Sequence, residues 1–301
     1  MSLAKRNVHS TPTDDHQQTL LNERYKAPLP SAKQVPVLDT MLHAVCLEDS
    51  TDEEAEETLS RLLAQFHDLN EIRVSSIAEL AVAFSGSSDP ERKALRIRST
   101  LQFVFEKNFA FDFENLRKKT LDLATKQLMK FKDLSPFVRS YTLQASLGGH
   151  LVPLDESMIA AAVWIGLLPV KVTPEEAAAD MKSVIRKNDA PLFCHLLRCL
   201  AQDPLLKKTF ERARTRPPAD GFDLASSPRR LEELFTTAAK AARSSKKRAA
   251  GKTGKTTRVV KRAKTASASG KKTSSGAAGR ASAKKAAAKK TGGTRIVRKK
   301  K

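Results

Sequence analysis

The sequence is poor in the features that define secreted and membrane proteins. Its three cysteines, Cys46, Cys194 and Cys199, form an odd set at spacings that indicate no disulfide framework, which is typical of a reducing compartment. No run of 18 apolar residues occurs, so no transmembrane helix is predicted. The polar start, with Asp14 and Asp15, is unlike a secretory signal. We therefore expect an intracellular protein.

A further absence is confined to the C-terminus. From Lys240 to Lys301 there is no acidic and no aromatic residue, whereas 23 residues are Lys or Arg. The whole chain has 54 basic and 33 acidic residues, which leaves 31 basic and 33 acidic residues before position 240. The net charge of +21 therefore belongs to this terminal segment, called the basic arm below.

The basic arm consists mainly of Lys, Arg, Ala, Gly, Ser and Thr. Such a segment buries too little apolar surface to offset its ordering entropy, so we expect it to be disordered when free. Cations release counterions when they neutralise phosphates, which gives salt-sensitive binding without sequence preference. We predict double-stranded DNA as the partner, bound in part by Lys246, Lys247, Arg248, Lys261, Arg262, Lys284, Lys285, Lys289 and Lys290.

Three other roles of the arm stay open. RNA would satisfy the same charges. The basic residues between 246 and 262 are also typical of a nuclear address. An anionic membrane is the least favoured partner, because the arm has no apolar face to insert. The stretch 283–290, Ala-Lys-Lys-Ala-Ala-Ala-Lys-Lys, is similar to the tails of linker histones.

The chain before the arm has the pattern of an all-α protein. Apolar residues recur at helical spacing, and Val, Ile and Thr never alternate with polar residues over a useful length. The spacing predicts about nine to eleven helices of ordinary length. Helix starts are indicated by Thr51-x-x-Glu54, Ser76-x-x-Glu79, Asp89-Pro90, Ser135-Pro136 and Thr173-Pro174. Among the residues predicted to be buried are Leu62, Leu63, Leu128 and Met129.

Composition shifts divide the chain into four parts. Residues 1–32 are predicted to be a polar N-terminal extension, and residues 33–215 a helical domain. Pro217, Pro218 and Gly221 mark a linker, so residues 216–239 are assigned to a linker and a short helix. Residues 240–301 are the basic arm.

Three stretches resemble the endonuclease III-like, helix-hairpin-helix (HhH-GPD) superfamily of DNA glycosylases. Residues 36–46 resemble its first core helix, followed by the loop 49–52, Asp-Ser-Thr-Asp. Residues 93–97, Lys-Ala-Leu-Arg-Ile, are similar to a later helix. Residues 135–143 resemble the second helix of the hairpin and lead into 147–155, Leu-Gly-Gly-His-Leu-Val-Pro-Leu-Asp, like the motif that names the family. The resemblance covers roughly residues 33–205.

The resemblance implies a two-lobed helical fold and base-excision chemistry on DNA. Asp155 would be the catalytic residue, stabilising charge on the sugar or activating water beside a flipped-out base. Asp155 is equally an ordinary N-cap for a helix over 156–168. Phosphate contacts are expected from Lys132, Ser135, Arg139 and Ser140 on the hairpin, although a solvated helix face explains the last two as well.

The chain also departs from the family pattern. The hairpin turn, Asp133-Leu134-Ser135, has no glycine, and Pro136 removes an N–H donor. Phe137 occupies the place of the Schiff-base lysine of bifunctional members, so an active enzyme would be monofunctional. Only Cys194 and Cys199 lie where the family holds an iron–sulfur cluster, so we expect no cluster, and no residue spacing indicates a zinc site or other cofactor.

Two functions of different classes follow. The first is a monofunctional DNA N-glycosylase held on DNA by its arm. The second is a catalytically inactive structural or nucleoid-associated DNA-binding protein, which the missing lysine and hairpin glycines favour; an RNA-associated protein is a weaker third. In each case we expect a monomer without membrane contact, in a bacterial nucleoid or cytoplasm, or in the nucleus if the source is eukaryotic.

Overall fold

The computed structural model describes residues 12–26, 34–219 and 221–242, with side chains from residue 17 onwards. All regular structure within these ranges is helical, without a strand, which confirms the all-α prediction for them. The α-helices are α1 Pro12–Tyr25, α2 Val37–Leu47, α3 Asp52–Gln65, α4 Leu69–Val74, α5 Ile77–Ala83, α6 Pro90–Asn108, α7 Leu121–Met129, α8 Pro136–Leu147, α9 Glu156–Ile165, α10 Pro174–Val184, α11 Ala190–Gln202 and α12 Lys207–Thr215. A 3-10 helix spans Glu114–Leu116, and residues 227–242 are helical too. No helix in the described ranges is long and apolar enough to cross a bilayer.

Helix starts follow the local chemistry of the sequence. Thr51, Ser76 and Thr173 each form a complete capping box, in which the cap and the third helical residue bond each other's backbone N–H. Asp89 and Ser135 cap helices that have proline at their first position. These five predicted starts are confirmed.

Two predicted burial sites and one helix end are wrong. Leu63 is 48% exposed and Met129 is 63% exposed, because each lies one residue, about 100° of helix rotation, beyond a fully buried leucine. Helix α9 stops at Ile165 rather than Leu168, since Gly166 takes the left-handed conformation at φ 95°.

Helix α1 extends the predicted domain. It packs on α11, and Leu21 is buried there. Arg24 donates to Asp203 at 2.6 Å and lies 4.4 Å from the ring centre of Phe235, in the helical stretch 227–242. Arg230, in the same helical stretch, donates to the carbonyl of Trp164 at 2.9 Å, so residues on both sides of the predicted helical domain contact it.

Two buried helices place the candidate site. Helix α2 packs against α3, α6 and α8, and all its residues except Asp39 and His43 are buried. Helix α9 packs against α11 and α12 and is also buried along most of its length. The loop after α2 and the start of α9 therefore meet at a fixed position, which brings Asp49 and Asp155 together.

Candidate active site

Asp155 is the N-cap of α9 and is only 3% exposed. Its Oδ1 accepts hydrogen bonds from the backbone N–H of Met158 at 2.8 Å and from the hydroxyl of Ser157 at 2.6 Å. Its Oδ2 accepts the backbone N–H of Asp49 at 3.1 Å. The capping role expected for Asp155 is confirmed, and the side chain also binds the loop after α2.

Asp49 returns this contact from the other side. Its Oδ1 accepts the backbone N–H of Ser157 at 3.1 Å, so two aspartates cross-link two chain segments. The backbone of Asp49 is left-handed at φ 54°, a conformation that disfavours most non-glycine residues but that aspartate tolerates. Strained backbone of this kind persists where the surroundings hold it in place, and it clusters at functional sites.

The two carboxyl groups differ from an ordinary surface pair. Burial, and then the charge of Asp155, raise the pKa of Asp49 to about 7, against the opposing effects of the Ser157 N–H and of Lys93. Like charges held this close disfavour ionising both groups. Asp49 is therefore partly protonated near neutral pH, and a protonated carboxyl group can act as a general acid.

Lys93, from the second turn of α6, fixes the loop that carries Asp49. It is 3% exposed, and its Nζ donates to the carbonyl of Cys46 and to the hydroxyl of Ser50, both at 2.9 Å. Burial lowers the pKa of Lys93, while the nearby Cys46 and Asp49 oppose that shift. The lysine thus holds both ends of the turn that contains the left-handed residue.

Asp49 lies between two cavities. One, of about 500 Å³, is bounded by the starts of α3 and α12 and by the loop 85–88; its volume is within the range of about 300–1,000 Å³ typical of small-molecule sites. The other, of about 150 Å³, is lined by Lys93, Phe137 and Asp155 among others. Asp49 therefore borders both spaces, whereas Asp155 borders only the smaller one.

The hairpin residues predicted to contact DNA fall into two groups. Lys132 is exposed in the turn before α8, and Ser140 is half-buried on that helix. Ser135 is buried, with its hydroxyl accepting the N–H of Val138 at 3.2 Å, while Arg139 donates to the carbonyl of Leu134 at 2.9 Å. Ser135 and Arg139 therefore have structural partners already, and phosphate contact by all four stays a prediction.

The nine predicted DNA contacts in the basic arm lie outside the described residues. They are Lys246, Lys247, Arg248, Lys261, Arg262, Lys284, Lys285, Lys289 and Lys290.

Asp49 and Lys93 were not among the residues that the sequence singled out for chemistry. Both belong to stretches that carry the family resemblance, which was the only sequence feature that could have pointed to them. Their roles depend on contacts across the fold, since Asp49 and Asp155 are 106 residues apart in the chain.

Comparison with known proteins finds likeness in structure only. No protein-family model matches the chain, and no curated protein matches it in sequence. Two solved structures are similar to it over 63% of its length and 86% of theirs, each at 11% identity. One is a trapped endonuclease III–DNA covalent intermediate, an estranged-adenine complex (TM-score 0.47), and the other a non-covalent endonuclease III–DNA complex (TM-score 0.48).

Proposed function

We propose that this chain is a DNA N-glycosylase without Schiff-base lyase activity, held on duplex DNA by its basic arm. The observation that carries the proposal is the buried Asp49–Asp155 carboxyl pair, in which Asp49 borders a cavity of about 500 Å³ and both aspartates border a smaller one. Two carboxyl groups with different environments are the usual equipment for breaking a bond between a sugar and its substituent.

The two aspartates would divide the chemistry. Cleavage of the bond between C1′ and the base leaves positive charge on the sugar and negative charge on the base. Asp155 would stabilise the sugar cation, and protonated Asp49 would give its proton to the departing base. Water then adds to C1′ and returns a proton to the site, so the products are a free base and an abasic sugar.

The surroundings of Phe137 support a monofunctional enzyme. Phe137 occupies the place where the family resemblance puts the Schiff-base lysine, and it is only 1% exposed. Lys93 also lines the smaller cavity, but its Nζ is engaged by Cys46 and Ser50. Neither position offers a free amine for covalent attack on the sugar.

The test is base excision by the full chain. Duplexes carrying uracil, an oxidised pyrimidine, mismatched adenine or an alkylated base are incubated with protein, and half of each sample is then treated with alkali. We expect strand breaks for at least one lesion only after alkali, and their loss in Asp155→Asn. Breaks without alkali, or borohydride trapping of a covalent complex, would contradict the monofunctional assignment.

A structural DNA-binding protein is the second candidate, and one observation favours it. Both oxygens of Asp155 already accept hydrogen bonds, and the side chain is almost fully buried. If duplexes bind tightly but stay intact across the whole panel, Asp155 is a cap alone and the structural function replaces the enzymatic one.

A further inference from the structure

A second polar cluster lies where the start of α3 meets α11. Asp52 is the first residue of α3, and His195 and Cys199 are one turn apart on α11. The Nδ1 of His195 lies 3.4 Å from Oδ2 of Asp52, and its Nε2 lies 3.8 Å from Sγ of Cys199. One donor atom from each residue falls within 4.8 Å of the other two. The sequence pattern had predicted no metal site here, because Asp52 lies more than 140 residues from its partners.

His195 is an unusual residue to find in a helical core. Its side chain is 6% exposed, and its Nδ1 makes no hydrogen bond, although Oδ2 of Asp52 lies 3.4 Å away. A buried nitrogen without a hydrogen bond, facing a carboxylate, calls for a positively charged partner, which is a proton or a metal ion.

We propose that Asp52, His195 and Cys199 bind a divalent transition-metal ion of the zinc type. Imidazole nitrogen, thiolate sulfur and carboxylate oxygen are the three donor types of protein zinc sites. In a tetrahedral site with bonds of about 2.0–2.3 Å, neighbouring donors are roughly 3.3–3.8 Å apart. The 3.4 Å between Oδ2 of Asp52 and Nδ1 of His195 falls in this range, whereas the 3.8 Å to Sγ of Cys199 is measured from the opposite ring nitrogen, Nε2. One donor atom from each residue lies within 4.8 Å of the other two, so side-chain rotation must close the remaining gap when the ion binds through a single ring nitrogen.

Arg198 completes the surroundings of the site. Its guanidinium donates to Oδ1 of Asp52 at 3.0 Å and is itself 2% exposed, so Oδ2 is left for the ion. Hydrogen bonding of the second oxygen is how ligating carboxylates are oriented in known sites. Carboxylate and thiolate together balance the two charges of the ion, and Arg198 keeps the carboxylate from turning away.

The ion would join the start of α3 to α11. Asp52 is three residues after Asp49, so bound metal would hold the loop that carries half of the carboxyl pair. Three protein donors leave a fourth position for water. The metal site does not depend on the glycosylase proposal, because its residues take no part in the chemistry assigned to Asp49 and Asp155.

Cobalt(II) is a direct probe of this site. The full chain is stripped of metal with a chelator, dialysed and titrated with cobalt(II), and the thiolate-to-cobalt charge-transfer band is recorded. We expect one equivalent to give this band and zinc(II) to displace it. The basic arm cannot contribute, since residues 240–301 contain no Cys, His, Asp or Glu.

Matched cysteine variants assign the band. Cys199→Ser should abolish it, whereas Cys194→Ala, on the same helix but outside the cluster, should keep it. His195→Gln should weaken cobalt binding by more than the roughly 10–100-fold that loss of an outer partner costs. Circular dichroism checks that each variant is folded. No thiolate band in the unchanged chain, or an equal band in folded Cys199→Ser, overturns the proposal.

Discussion

Asp49 combines a left-handed backbone with a carboxyl group whose pKa is raised to about 7. An aspartate in the unfolded chain ionises at about 4. Between these values the folded state binds more protons than the unfolded state, so the free energy of unfolding falls as pH rises from about 4 to 7. Above pH 7 this loss of stability persists in full.

Asp49→Asn should remove this penalty, because asparagine tolerates the left-handed backbone and carries no charge. We expect the free energy of unfolding at pH 8 to rise by about 1 kcal/mol or more, and its decline between pH 4 and 7 to flatten. Urea unfolding across this pH range measures both. Asp122→Asn, at an exposed position, is the control; equal pH profiles for Asp49→Asn and the unchanged chain would refute the shifted pKa.

Lys93 shows how a single buried side chain supports the site. Lys93→Met keeps the aliphatic stem but leaves the Cys46 carbonyl and the Ser50 hydroxyl without their donor, at about 1–3 kcal/mol for each buried group. We predict a loss of about 2–4 kcal/mol in chemical denaturation. The neighbouring Arg92→Met, whose ion pair with Asp89 is exposed, should cost at most about 1 kcal/mol. Similar losses for the two variants would mean that the Lys93 contacts stabilise nothing.

At the level of helices, Gly166 is the residue that ends α9 and lets the chain after it come close. Its φ is 95°, and a Cβ there would lie 2.7 Å from the carbonyl oxygen of Phe222 and 2.9 Å from the backbone nitrogen of Leu224. Gly86 has nearly the same φ, 96°, but open space around it. Comparing alanine variants of Gly86 and Gly166 therefore separates the cost of backbone strain from the cost of a steric clash.

Gly86→Ala should cost about 1–2 kcal/mol, which is the strain of a left-handed residue alone. Gly166→Ala should cost clearly more, about 3 kcal/mol or above, because the backbone of residues 222–224 must move as well. Thermal unfolding of both variants tests this order. Equal losses would show that residues 222–224 do not pack closely on the end of α9.

Helix starts could be predicted from the sequence because caps are local chemistry. Thr51, Ser76 and Thr173 bond atoms within three residues, and all three were predicted from local motifs: a capping box at Thr51 and Ser76, and a cap followed by proline at Thr173. Helix α1 was not predicted, because one of the contacts that stabilise it joins Arg24 to Asp203, which is 179 residues away in the sequence. Asp155 was found through its resemblance and its cap, while Asp49 and the cluster around His195 depend on packing that no short pattern encodes.

Across the whole molecule, charge is separated between a nearly neutral body and the basic arm. If the arm binds DNA phosphates, a chain ending at Ala239 should lose most of its affinity for undamaged duplex and most of its salt dependence. Fluorescence anisotropy between low and physiological salt measures the slope of log affinity against log salt. An unchanged slope after truncation would contradict the role of the arm.

A milder variant keeps the full length. Changing Lys284, Lys285, Lys289 and Lys290 to Gln removes four charges, which should reduce the magnitude of the slope by roughly 3–4 if all four contact phosphate. Chain length and the body stay the same, so this variant separates charge from length.

The proposed function requires that Asp49 and Asp155 together release a base from DNA. The most direct test is the single-turnover rate of free-base release from a lesion duplex between pH 5 and 9, for the unchanged chain, Asp49→Asn and Asp155→Asn. We predict a rate that falls as pH rises through about 7, when Asp49 loses its proton. Asp49→Asn should be slow without this fall, and Asp155→Asn should release no base at any pH. Base release by Asp155→Asn at the rate of the unchanged chain, or none by the unchanged chain on any lesion, would contradict the proposed glycosylase function.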